Sequence, residues 1–135
     1  MASEKPSRAV RFVRAQIDPL PNGQCQAQVE IERPGSGLST GIAQGGSGQA
    51  DALRAVARAA ADALTEAFRT EGAKIRVRGV QVQEAFAQTV VIVSVAATQG
   101  TRSQSLLGIC DGAADAARAT ALAVLNGTNR FLGLE

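Results

Sequence analysis

Gly41-Ile42-Ala43-Gln44-Gly45 returns in the second half of the chain as Gly108-Ile109-Cys110-Asp111-Gly112, and this echo decides how the sequence is read. Two further echoes flank it. Val13-Arg14 recurs as Val77-Arg78, and Ala50-Asp51-Ala52-Leu53-Arg54-Ala55 recurs as Ala114-Asp115-Ala116-Ala117-Arg118-Ala119, both displaced by the same length of chain. Self-similarity at a nearly fixed spacing marks a repeated structural unit. The glycine echo is displaced slightly further than the other two, which puts three extra residues, Gly46 to Gly48, ahead of the first helix and lengthens the strands or hairpins of the second copy. One unit then spans 9–72 and the other 73–135, behind a short flexible arm over 1–8, in a single domain.

Working outward from the echo, each unit reads as three strands followed by one helix. Over 24–32, Cys25, Ala27, Val29 and Ile31 alternate with Gln and Glu, the period-2 pattern of a strand with one wet face. A preceding strand over 9–17 stops at Asp18-Pro19-Leu20-Pro21-Asn22-Gly23, a turn by composition, and Pro34-Gly35-Ser36-Gly37 leads into a third strand over 38–43. The second unit gives strands over 74–83, 86–97 and 102–110, with a turn at Thr98-Gln99-Gly100-Thr101. Thr89 to Val95 carries apolar side chains on both faces, which predicts a strand covered on both sides.

The helices follow from a spacing of three and four. Leu53, Val56, Ala57, Ala60, Leu64, Ala67 and Phe68 build one apolar stripe over 50–69, off which lie Arg54, Arg58, Asp62 and Glu66, with Gly72 as the terminator. Arg58 and Asp62 are spaced to pair. The second helix, from 113 to about 131, is Ala-rich, and its small residues Ala116, Thr120, Ala123, Val124 and Gly127 admit the close approach of another element. That element is either the helix's own sheet or a second subunit. The fold is therefore α+β, two βββα units related by a pseudo-twofold axis. Amphipathic faces on so small a chain suggest a homodimer or higher homo-oligomer.

Composition narrows the function. The 135 residues include no His, Trp or Tyr and only four Phe, so catalysis and metal binding lose their commonest side chain, and base stacking loses its platforms. Fourteen Lys and Arg against twelve Asp and Glu give a net charge of +2 without a dense basic block, which argues against nucleic acid. No apolar run approaches the length of a membrane span, and the N-terminus has no signal core, so the chain reads as a small complete protein, starting at Met1, that resides in the cytoplasm. The Asn126-Gly127-Thr128 sequon then carries no meaning. Cys25 and Cys110 read as free buried thiols ahead of a disulfide or a reactive site.

Anion binding is the chemistry that the residues do offer. The run from Gly41 to Asp51 joins a strand to a helix start, where free amides can receive a carboxylate or phosphate. It lacks the third glycine of a dinucleotide fingerprint and the Lys-Ser/Thr of a P-loop. Asp51 and Asp115 hold matching places in the first helical turns, as caps or dipole partners, or as contacts for a ligand ammonium or a partner helix. No residue is assigned to catalysis, metal or cofactor.

Gly46-Ser47-Gly48-Gln49-Ala50-Asp51-Ala52 resembles the G-x-G-x-x-D-A motif that opens the first helix of the C-terminal regulatory domain of 2-isopropylmalate synthase. Asp115, Ala119-Thr120-Ala121, Ala123, Leu125-Asn126 and Asn129 resemble that family's second-helix run, and the likeness extends over about 9–130. It implies two βββα units, dimerisation, and feedback binding of leucine near the pseudo-twofold axis, with isoleucine in citramalate synthase relatives. The catalytic barrel of that family is absent, so the resemblance implies no synthase activity. The expected function is a non-enzymatic sensing and dimerisation module, with an amino acid at Gly46, Gly48, Gln49, Asp51, Gly112 and Asp115. The alternative is a scaffold that uses the same fold to oligomerise and to bind a protein partner without a ligand.

Overall fold

A computed structural model describes residues 10–112 and 114–133; the arm expected over 1–8 lies outside them. Strands β1 (Arg11–Pro19), β2 (Gln24–Arg33) and β3 (Gly37–Gly46) form one antiparallel sheet in that order, and helix α1 (Gln49–Ala67) follows. After a 3-10 turn at Arg69–Glu71, strands β4 (Ala73–Ala85), β5 (Gln88–Gln99) and β6 (Arg102–Asp111) form a second antiparallel sheet, followed by helix α2 (Ala116–Thr128). The two-unit βββα layout read from the sequence is the layout observed.

Alternation fixes the register. In β2, Ala27, Val29 and Ile31 are fully buried, with Val29 opposite Ala15 of β1 and Gly41 of β3, while Gln26, Gln28 and Glu30 take the opposite face. In β5, Val91, Val93, Val95 and Ala97 are buried on the helix side. The other face of β5 is only half-covered, which corrects the expectation for Thr89 to Val95. Each sheet has helix on one side alone, so Val90 and Ile92 stay half-buried and Leu107 and Ile109 of β6 are exposed.

The glycines of the echo explain how closely each helix lies on its sheet. A Cβ added to Gly41 would sit 1.8 Å from the Ala59 carbonyl oxygen, and one added to Gly108 would sit 1.7 Å from the Ala123 carbonyl oxygen. Helix backbone rests on strand backbone at equivalent points of the two units, and no side chain fits between them. Gly45 and Gly46 prolong β3 beyond its expected end by pairing with Cys25 and Gln24.

Each helix also reaches across to the other unit. α1 packs on β2 and β3 and then on β4, whereas α2 packs on β5 and β6 and then on β1, and the two helices touch. Their shared core is built from Val29, Ile31, Val56, Leu64, Val93, Val95 and Val124. Two arginines clasp the ends of the units. Arg33 lies 3.9 Å over the Phe68 ring, donates to the Ala67 carbonyl at 2.8 Å and pairs with Glu71 at 2.5 Å; Arg102 lies 4.1 Å over Phe131 and donates to its carbonyl at 3.2 Å.

Candidate functional site at the start of the first helix

The start of α1 is open. Its N-cap, Gly48, is extended (φ −67°, ψ 156°) and makes no side-chain cap bond, and the first intrahelical bond runs from the Ala52 amide to the Gly48 carbonyl at 2.8 Å. The amides of Gln49, Ala50 and Asp51 precede that bond and have no acceptor within the helix. Asp51 does not turn back to cap them. Its carboxylate accepts from Arg54 Nη1 at 3.1 Å and lies over Gly46, where a Cβ would come within 2.7 Å of Oδ2. Gly46, Gly48, Gln49 and Asp51 are thus brought together as the sequence suggested.

Beside this turn runs a crevice of about 280 Å³, lined by Gln49, Ala50 and Leu53 of α1 and by Val80 and Val82 of β4. The two valines come from the other unit, and motif reading did not single them out. Their signal was the alternation Val80-Gln81-Val82-Gln83, whose apolar members continue β4 along the helix side of its sheet. One end of the site is polar main chain and the other is aliphatic.

Gly112 and Asp115 stand elsewhere, at the start of α2, and neither lines this crevice. Asp115 is the N-cap of α2, and its carboxylate accepts from the Arg118 amide at 3.0 Å. Gly112 donates to the Thr89 carbonyl at 2.9 Å, and a Cβ there would lie 2.8 Å from Val91 Cγ2. The repeat-matched aspartates therefore differ. α2 begins one turn later than its counterpart, so Asp115 becomes the cap while Asp51 falls inside the first turn.

The small-residue stripe of α2 faces its own sheet. Thr120, Ala123 and Val124 are buried within the chain, and Gly127 is pressed against Gly108. The Thr120 hydroxyl donates to the Ala116 carbonyl at 2.7 Å. This is the first of the two arrangements that the stripe allowed, and it leaves Thr120, Ala123 and Val124 no surface for a second chain.

Arg58 does not form the expected ion pair with Asp62; it donates to the Gln44 carbonyl of β3. Partial burial pushes the Asp62 carboxyl above the usual range, and the nearby Arg58 charge opposes the shift. Cys25 is buried with its thiol directed to the Gly46 carbonyl at 3.3 Å, and Cys110 is half-buried; neither is bonded to the other. Among the described residues, no group of three His, Cys, Asp or Glu is placed to hold a metal ion, and no helix is long and apolar enough to cross a membrane. No known protein family and no curated protein matches the sequence.

Proposed function

We propose that the chain is a non-catalytic module that binds a small aliphatic amino acid at the start of α1 and works as a dimer. The observation that carries this reading is the uncapped helix start beside an aliphatic crevice. The free amides of Gln49 and Ala50 suit a carboxylate, Asp51 suits an ammonium group, and Leu53, Val80 and Val82 suit a branched side chain. The resemblance of Gly46 to Ala52 to the regulatory domain of 2-isopropylmalate synthases supports the same ligand class. In this reading the two units are related by a pseudo-twofold axis, which the exchange of helix contacts with β4 and β1 supports, and the protein acts in the cytoplasm.

Thermal unfolding of the full chain with leucine, isoleucine, valine and, as a control, glycine tests the proposal. A ligand at 100 times its dissociation constant adds about 2.7 kcal/mol, and for a chain of this length that raises Tm by about 10 °C. The expected result is a saturable rise with a branched amino acid and none with glycine. No rise with any branched amino acid up to its solubility overturns the reading in favour of a ligand-free scaffold.

A further inference from the structure

We infer that the outer face of the second sheet is the docking surface for an amphipathic helix of another protein, one whose apolar stripe ends in acidic side chains. The sheet of β4, β5 and β6 has helix on one side, and on the other its register sets Ile92 beside Ile109 and Ser94 beside Leu107. Leu107 and Ile109 are 67% and 54% exposed, and Val90 and Ile92 next to them are half-buried. Apolar side chains on both faces belong to a strand covered on both sides, and the described residues cover one of them.

The first sheet shows that the fold does not require such a face. There β2 turns Gln26, Gln28 and Glu30 outward, and the cross-strand pairs Arg11–Glu32 and Arg14–Glu30, the latter at 3.5 Å, neutralise the charges in place. On the second sheet the charges stay open. Register puts Lys74 opposite Thr98 and Arg76 opposite Ala96, on the outer side at one end of the apolar strip. Neither cation has an ion pair or hydrogen bond among the described residues. The one carboxylate that register places on this face among those residues, Asp111, stands at the far corner, opposite Val90.

The occupant follows from size and charge. Three strands about 4.8 Å apart present a face about 10 Å across, the diameter of one helix, and a helix laid there completes a helix–sheet–helix sandwich. Branched aliphatic side chains suit the strip from Val90 to Leu107, and carboxylates suit the start of β4 at Lys74 and Arg76. A second copy of this chain brings the same excess of cations to the contact and not the acids it lacks. An anionic membrane is best met by cations all around an apolar strip, whereas these two lie on one strand.

Fluorescence anisotropy of two labelled peptides against the full chain tests the proposal. Both peptides have about 16 residues, enough to cross the strip at about 1.5 Å per residue, with leucines three and four apart. One carries glutamates in its first two turns and the other lysines. The glutamate peptide is expected to bind in the micromolar range and to lose about tenfold in affinity with Leu107→Gln or Ile109→Gln, with the circular dichroism of the chain unchanged. Arg76→Glu is expected to exchange the preference, so that the lysine peptide binds instead. Ile42→Gln, at an exposed position opposite Gln28 on the outer face of the first sheet, should leave binding as it was. The proposal is overturned if the glutamate peptide fails to bind up to millimolar concentration, if both peptides bind the wild type equally, or if the preference survives Arg76→Glu. Binding at this face to phosphatidylserine vesicles alone, or to a second copy alone as read by sedimentation, overturns it too. Leu107 and Ile109 face away from the helices, so these variants leave the response to a branched amino acid intact and the two readings fail separately.

Discussion

At the scale of single residues, main chain meets main chain at Gly41 and Gly108. With a Cβ 1.8 Å and 1.7 Å from a helix carbonyl, Gly41→Ala and Gly108→Ala must each lift a helix from its sheet. The expected cost is about 3 kcal/mol, the upper end for overpacking a core, read as a lower urea midpoint. The aspartates make a second test. Asp115→Ala removes a cap bond and is expected to cost about 1 kcal/mol. Asp51→Ala loses an exposed i,i+3 contact worth about 0.3 kcal/mol, yet should abolish the response to a branched amino acid. Equal losses of stability in the two variants would show that both act as caps. Both glycines were visible as an echo, but their reason was not. Gly41 and Ala59 belong to different elements of the sequence, and only the packed helix shows their backbones in contact.

At the scale of elements, the clasp of Arg33 on the C-terminal end of α1 has a pH signature. Hydrogen bonds from Arg33 and Thr70 hold the Glu71 carboxyl at about 2, down from 4.5. Since the folded value is the lower one, the clasp stabilises fully above pH 4.5 and loses its contribution as the pH falls toward 2. Glu71→Gln should therefore flatten the fall of Tm across that window and change the slope little above it; an unchanged slope would remove the role assigned to the pair. The hairpin offers a test of opposite sign. Ala87→Gly relieves a left-handed alanine while keeping Phe86, and is expected to raise stability by about 1 kcal/mol in urea unfolding. Element identity was legible because β2 and α1 carry unmixed periods of two and of three to four. Ends were less so, because β3 runs on through Gly45 and Gly46 by cross-strand pairing with β2, a partner that local sequence does not reveal.

At the scale of the whole molecule, neither unit closes its core alone. α1 lays part of its alanine-rich surface on β4, and α2 lays part of its own on β1, where Arg118 also lies 5.5 Å over Phe12. A chain cut to residues 1–72 is expected to lack cooperative thermal unfolding by circular dichroism, and to regain it when mixed with 73–135. The site shows the same interdependence. Its polar half lies in one contiguous motif, from Gly46 to Asp51, and was readable, while its aliphatic wall comes from Val80 and Val82, beyond the whole of α1 in the sequence, and was not. The glycine contacts also give α1 two unlike bearings. Toward β3 it rests on main chain, and toward β4 on alkyl groups and one polar pin, the Thr65 hydroxyl, which accepts from the Ile75 amide at 3.0 Å. The first helix is therefore moored at two points of different chemistry, by bare backbone contact at Gly41 on the sheet of its own unit and by a hydrogen bond at Thr65 on the sheet of the other, so that it staples the two halves together.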